Sequence, residues 1–170
     1  MDVSRAVKER RSIRSFLKKD IPDDIIDNLI EALIRAPSAG NLQSRKFYFV
    51  RDKKLKKKIA EAALNQTFIS EAPVVIVCCA DSRIGRHYGM RGIELYSIQD
   101  VSASIMAMML VALETGLGTC WVGAFREEEV SKALDLPANL RPVTIVPLGY
   151  PAKIPDPTSR VTKQEAVEFR

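Results

Sequence analysis

Val74-Val75-Ile76-Val77-Cys78-Cys79-Ala80 is an apolar run without a break. A strand with one wet face alternates apolar and polar residues, so an unbroken run fits a central strand covered on both faces. Upstream, Lys46-Phe47-Tyr48-Phe49-Val50 has the aromatic and β-branched content of a second strand. Downstream, Val143-Thr144-Ile145-Val146-Pro147-Leu148 reads as the last core strand. Between the strands lie helical patterns. Val3, Ala6 and Val7 mark a short helix over 2–10, and Ile25, Ile26, Leu29, Ile30, Leu33 and Ile34 mark one from Pro22 to near Pro37. Leu55, Ile59, Ala62 and Ala63 mark a third over 53–64, and Glu127, Glu128 and Glu129 lead a small one over 126–135.

Residues 97–115 form the most apolar helix, in which only Ser102 and Ser104 interrupt the stretch from Val101 to Leu113. A helix apolar nearly all round belongs in the core or against a second subunit. It is too short and too hydroxylated to span a bilayer, which takes about 20 apolar residues. Residues 81–92 read as a polar loop, 119–125 as a short extended segment, and the tail 151–170 has no core pattern of its own and must lie on something. With no repeats and no linker, residues 1–170 make one α+β domain with a sheet between helices.

The composition suits that reading. The chain has 170 residues, 46% hydrophobic and 28% charged, and a mean hydropathy of −0.05, which excludes disordered and membrane-embedded classes. Three cysteines, two of them adjacent, give no disulfide framework and fit a reducing compartment, so the cytoplasm is expected. Charge is uneven: residues 1–60 carry 16 Lys or Arg against 8 Asp or Glu (+8), and residues 61–170 carry 10 against 13 (−3). A positive half calls for an anionic partner: nucleic acid, an acidic membrane surface or a phosphorylated cofactor.

The single histidine, His87, excludes a multi-His metal site. Gly116, Gly118 and Gly123 do not make a dinucleotide fingerprint, because the third glycine is displaced and the group follows a helix. Arg10, Arg11, Ser12 and Arg14 place three guanidiniums and a hydroxyl within five residues. They can converge on one oxyanion, since the guanidinium fork meets phosphate bidentately, or they can form a solvated basic surface. The lysines of 53–58 share a helix with Leu55 and Ile59 and are read as its water-facing side. Nucleic-acid binding would need basic residues interleaved with exposed aromatics, and Phe47, Tyr48 and Phe49 sit in a core strand instead.

Five motifs in order carry a resemblance. Arg10-Arg11-Ser12-x-Arg14 and Ala36-Pro37-Ser38-Ala39-Gly40-Asn41-Leu42-Gln43 are similar to the opening motifs of the nitroreductase family. So are Glu94-Leu95-Tyr96-Ser97-Ile98-Gln99-Asp100, the segment 116–125, and Gly149-Tyr150-Pro151-Ala152 followed by Arg160. The resemblance implies a central mixed β-sheet flanked by helices and an intertwined homodimer with two FMN at the subunit interface. It also implies hydride transfer from NADH or NADPH through flavin N5 to a nitroaromatic, quinone or similar small-molecule acceptor, in ping-pong fashion. No catalytic side chain is expected, because the cofactor carries the chemistry.

By the same resemblance, Arg10, Arg11, Ser12 and Arg14 hold the FMN phosphate and ribityl chain, and Arg160 reaches that phosphate from the tail. Pro37, Ser38 and Ala39 cover part of the flavin from the partner subunit. Asn41 and Gln43 brace their loop, although Asn41 stays among the cofactor-contact candidates. Asn65 or Gln66 offers an amide to the pyrimidine edge, and Gly123 and Ala124 offer backbone N–H groups towards N5. Many relatives follow the second motif with Pro-Trp where this chain has Ser44-Arg45, so an altered substrate wall is expected. Same-fold chemistry such as reductive dehalogenation, dehydrogenation or flavin fragmentation is the alternative. Trp121 and Cys120 are expected to pack, and His87 with Arg86 and Arg91 could meet an acidic substrate.

Overall fold

A computed structural model describes residues 2–170. Its sheet has four strands: β1 (Arg45–Val50), β2 (Val74–Asp81), β3 (Gly118–Thr119) and β4 (Leu140–Gly149), in the order β1-β2-β4-β3. All three ladders are antiparallel, with Tyr48 opposite Val77 and Val77 opposite Ile145. The expected mixed character comes from one isolated parallel bridge, Ser12 with Thr119. β4 starts three residues before the expected strand. It carries Pro142 opposite Cys79, and the register shifts there; proline donates no ladder bond, and an irregularity accommodates it.

β2 is buried along its whole length. Val74, Ile76, Cys78 and Ala80 join a core with α2 (Asp23–Arg35) and α6 (Ser97–Glu114). Val75, Val77 and Cys79 join a second core with α3 (Lys53–Ala62), α4 (Phe68–Glu71) and α7 (Glu127–Leu134). The unbroken apolar run therefore reports cover on both faces of the sheet.

α1 (Val3–Glu9) and α3 are capped by Asp2 and Asp52, whose carboxylates accept the backbone N–H groups of Arg5 and Leu55. Lys56 departs from the expected water-facing lysine run. It is buried, and its Nζ donates to the carbonyls of Ala72 (2.5 Å) and Pro73 (3.2 Å).

The segment 81–92 is also not a loop. A 3₁₀ turn (Ser82–Ile84), α5 (Gly85–Arg91), broken at Gly89 (φ +56°), and a π-turn (Gly92–Tyr96) lead into α6. The resulting run Ser82–Glu114 is long and apolar enough to cross a membrane by composition. Its inner face, including Val101, Ile105, Met108 and Ala112, is packed into the first core instead. The tail beyond Ala152 is exposed throughout, and of it only residues 154–157 border the body of the chain, along a cleft; its short α8 (Lys163–Ala166) carries a capping box from Thr162 and Glu165.

Candidate functional site

After α1 the chain runs extended along β3. The Ile13 N–H donates to the Thr119 carbonyl at 2.9 Å. Gly118 makes this approach possible, because a Cβ there would stand 2.4 Å from Ile13 Cγ1. Ile13 is buried against that glycine. Side chains alternate in an extended segment, and Ser12 and Arg14 turn to the side of Cys120. Burial pushes the Cys120 thiol up in pKa, against the pull of Arg14, the Ser12 hydroxyl and Arg10. Ser12 thus meets Cys120 directly, and the charges of Arg14 and Arg10 are near enough to act on it. Arg14 also lies over the Phe68 ring, 6.0 Å from its centroid. Arg11 behaves differently: its Nη1 donates to the carbonyls of Lys8 (2.7 Å) and Arg10 (3.0 Å), closing the end of α1.

Beside this cluster, residues 120–124 are fixed to the sheet by reciprocal backbone bonds between Val122 and Ile145, each 2.9 Å. Gly123 and Ala124 are exposed on this segment, and a Cβ on Gly123 would meet nothing within 4 Å. That leaves room for a flat ligand over the backbone. Gln66 Nε2 donates to the carbonyls of Ala63 (2.9 Å) and Ala124 (3.2 Å), so both of its N–H groups are committed to the frame. Asn65, exposed and at φ +60°, keeps its carboxamide free of hydrogen bonds among the described residues. Of the two amide candidates, Asn65 is the one available to a ligand. Trp121, expected to pack, is 40% exposed next to this surface.

The second motif forms a separate wall. Asp100, buried in the first turn of α6, accepts the Ala39 N–H at 2.8 Å and the Ser44 hydroxyl at 2.6 Å. Arg45 reaches under the same loop and donates to the carbonyls of Ile34, Ala36 and Pro37 at 3.0, 2.7 and 3.1 Å. Ser44 and Arg45 are therefore braces that fasten the loop to α2 and α6. Ser38 Oγ accepts the Gln43 N–H at 3.0 Å, and Gln43 Nε2 donates to the Asn41 carbonyl at 3.4 Å, so Asn41 and Gln43 hold the loop's shape as expected.

The two walls stand at opposite ends of α6. Arg10, Arg11 and Ile13 line a cleft of about 420 Å³ with Met109, Leu113 and the tail residues around Pro155. At 1.5 Å per residue, the 9 to 13 positions from Asp100 to that cleft correspond to roughly 14–20 Å along the helix. Arg160 is not brought to the cluster within this chain; its Nη1 donates to Thr158 and to the Ser159 carbonyl on the exposed tail.

Sequence reasoning missed Thr119, Gly118, Phe68 and Asp100, which place the candidate groups without belonging to the basic motif. Asp100, Gly118 and Thr119 stood inside motifs that carried the resemblance, whereas Phe68 carried no signal in the sequence.

This architecture is shared with solved oxidoreductases. A Bacillus megaterium protein, NfrA2, matches with a TM-score of 0.91 and 28% identity, covering 99% of this chain and 74% of that one. The NADPH:FMN oxidoreductase of Vibrio harveyi, solved with NAD+, matches with a TM-score of 0.90 and 25% identity, covering 98% and 76%. In sequence, an NADH dehydrogenase of Thermus thermophilus is 32% identical over a 198-residue alignment that covers 100% of this chain and 97% of that protein. The family model described as "Nitroreductase family" matches residues 7–71 and 62–150. The chain belongs to the nitroreductase family.

Proposed function

We propose that this chain is an FMN-dependent oxidoreductase that uses NAD(P)H to reduce a small nitroaromatic, quinone or similar acceptor. The observation that carries the reading is that Ser12, with the charges of Arg14 and Arg10 nearby, meets Cys120 on the same short segment that runs on to the uncovered backbone of Gly123 and Ala124. A phosphate dianion needs several charged donors, and a flat ring needs an open backbone shelf; the two lie side by side here. FMN, when bound, supplies two-electron redox chemistry that no side chain of the site offers.

The chain's own residues bind and orient. Arg10 and Ser12 meet the phosphate, while Arg14, seated on Phe68, reaches along the ribityl chain. Arg11, turned to α1, contributes positive potential more than direct contact. Asn65 presents donor and acceptor together to a pyrimidine edge. Gly123 and Ala124 leave one ligand face uncovered, so reductant and acceptor would use the same face in turn. Ping-pong kinetics follow.

A second copy completes the site. Ala103, Met106, Ala107 and Leu110 form a partly exposed stripe along α6, and antiparallel pairing across it would lay the 37–41 loop of one chain near the Arg10–Arg14 cluster of the other. The tail, bare in this chain, would then reach the partner and carry Arg160 to the partner's phosphate site. The three free cysteines are buried, which fits a cytoplasmic enzyme.

The test is direct. Protein purified with FMN should show an oxidised flavin band near ~450 nm that bleaches anaerobically on addition of NADH or NADPH. A protein that neither retains nor binds FMN would overturn the reading.

A further inference from the structure

Three residues of the second wall, Gly40 (φ +54°), Asn41 (φ +55°) and Gln43 (φ +51°), take the left-handed backbone region within four positions. At Asn41 and Gln43 that conformation costs free energy, and it persists only where the surroundings over-determine it. Hydrogen bonds from Asp100 and Arg45 fasten the base of the loop, at Ala39 and Ala36. Gly40 meets a contact of another kind. A Cβ placed on it would run into the Tyr88 hydroxyl and lie 3.3 Å from Cζ behind it, so only glycine lets loop and ring come this close.

Tyr88 is itself held. Its ring packs edge-on against Tyr96, with centroids 5.3 Å apart. Arg91 donates from Nε to the Tyr96 hydroxyl at 3.0 Å, with its guanidinium 5.5 Å from that ring's centroid. Gly92 admits the root of the Tyr88 side chain, since a Cβ there would stand 2.8 Å from Tyr88 Cβ. The Tyr88 hydroxyl makes no hydrogen bond among the described residues, so it limits the approach of the loop by bulk alone. A fixed post against a strained loop decides where the loop stands. With the post removed, the left-handed residues can relax into the vacated space and the wall shifts with them.

Resting on the flavin reading, in which this loop covers part of the partner's FMN, we propose that Tyr88 is a positioning residue that sets the height of the wall over the flavin and thereby the bulk of the acceptor the site admits. It acts through Gly40 and takes no part in the electron transfer. Specificity then lies in the difference between a slender and a bulky acceptor of the same chemistry.

The experiment compares kcat/KM of FMN-loaded protein for dimethylbenzoquinone and for its bulkier di-tert-butyl analogue, with NAD(P)H as reductant. The wild type should favour the small quinone. In Tyr88→Ala the small-to-bulky ratio should fall by about tenfold, the discrimination that roughly one methylene-sized contact supplies. A double-mutant cycle then separates this contact from general loosening. Gly40→Ala brings the collision with the hydroxyl in the wild-type background and removes it in Tyr88→Phe, while the strain of a side chain at φ +54° is common to both. The effect of Gly40→Ala on the ratio should therefore be several-fold smaller in Tyr88→Phe than in wild type. A wild type indifferent to bulk, a ratio unmoved in Tyr88→Ala, or a Gly40→Ala effect equal in both backgrounds would each overturn the post and leave the flavin reading standing. A wild type that binds no FMN would overturn both.

Discussion

Lys56 shows how one buried residue can hide inside a run that looks like surface. Its neighbours Lys53, Lys54, Lys57 and Lys58 are exposed, but its own turn of α3 faces the corner where α4 meets β2. Burial, and then the nearby Lys53, lower its pKa, while Nζ satisfies two carbonyls that no other group reaches. Truncation would leave those acceptors buried and unpaired, which costs about 1–3 kcal/mol. Lys56→Ala should accordingly lower the melting temperature by several degrees, measured by calorimetry, whereas Lys58→Ala should not. Equal melting temperatures for Lys56→Ala and wild type would show that the two carbonyls are otherwise satisfied. Asp100 works in the same manner at the second wall, where its two oxygens receive the Ala39 N–H and the Ser44 hydroxyl.

At the scale of elements, α6 decides most of the architecture. One face fills the first core, and the other bears Ala103, Met106, Ala107 and Leu110 at helical spacing. Met106 is 37% exposed, and Val3 and Val7 on α1 are more exposed still, at 72% and 55%. Contiguous exposed apolar surface on a protein of this size marks an association face. A charge placed at its centre loses solvation on pairing. Leu110→Glu should shift the elution mass from that of two 19.0 kDa chains to that of one and should release FMN with it if, as proposed, each site draws on both copies. A wild type that elutes as a single chain would remove the shared-site arrangement.

For the molecule as a whole, one source of acid sensitivity stands at the end of β2. Asp81 is buried. Burial raises its pKa, but the Arg83 side chain and backbone and the Asn139 amide outweigh that and hold it below the usual aspartate value. Its carboxylate joins the end of β2 to the start of β4 through Asn139 Nδ2, at 3.1 Å. The unfolded chain therefore takes up this proton before the folded one does. The contribution is complete above the unfolded value of about 3.9 and disappears as pH falls through the lower folded value. Asp81→Asn should be less stable than wild type at neutral pH, with the gap in denaturation midpoint closing in strong acid. A gap that stays constant from pH 7 to pH 2 would contradict this. Charge asymmetry has a similar whole-molecule meaning: the basic first third supplies Arg10 and Arg14 to the cluster and Arg45 to the second wall, while most of its lysines face water.

By itself the sequence determined the elements and their faces. The periodicity of 3.6 or 2 is local, so α2, α3, α6 and the strand at β2 were legible from the spacing of their apolar residues, and the ordered motifs carried the family. Only the tertiary structure decided what those residues meet. The antiparallel order of the sheet depends on partners 25 (Val50 and Val75) to 74 (Val74 and Leu148) residues apart, for which the sequence has no period. Helicity through 82–96 was hidden because its residues are polar and glycine-rich, and packing against Gly40 and the first core overrides weak propensity there. The same holds within the site. Gln66 and Asn65 are adjacent amides of equivalent chemistry, and it is the Ala63 and Ala124 carbonyls that commit one and leave the other open. Ser44 and Arg45 stand where many relatives carry Pro-Trp, yet here they are the braces of the loop, because Asp100 and the end of α2 lie within hydrogen-bond reach only after folding.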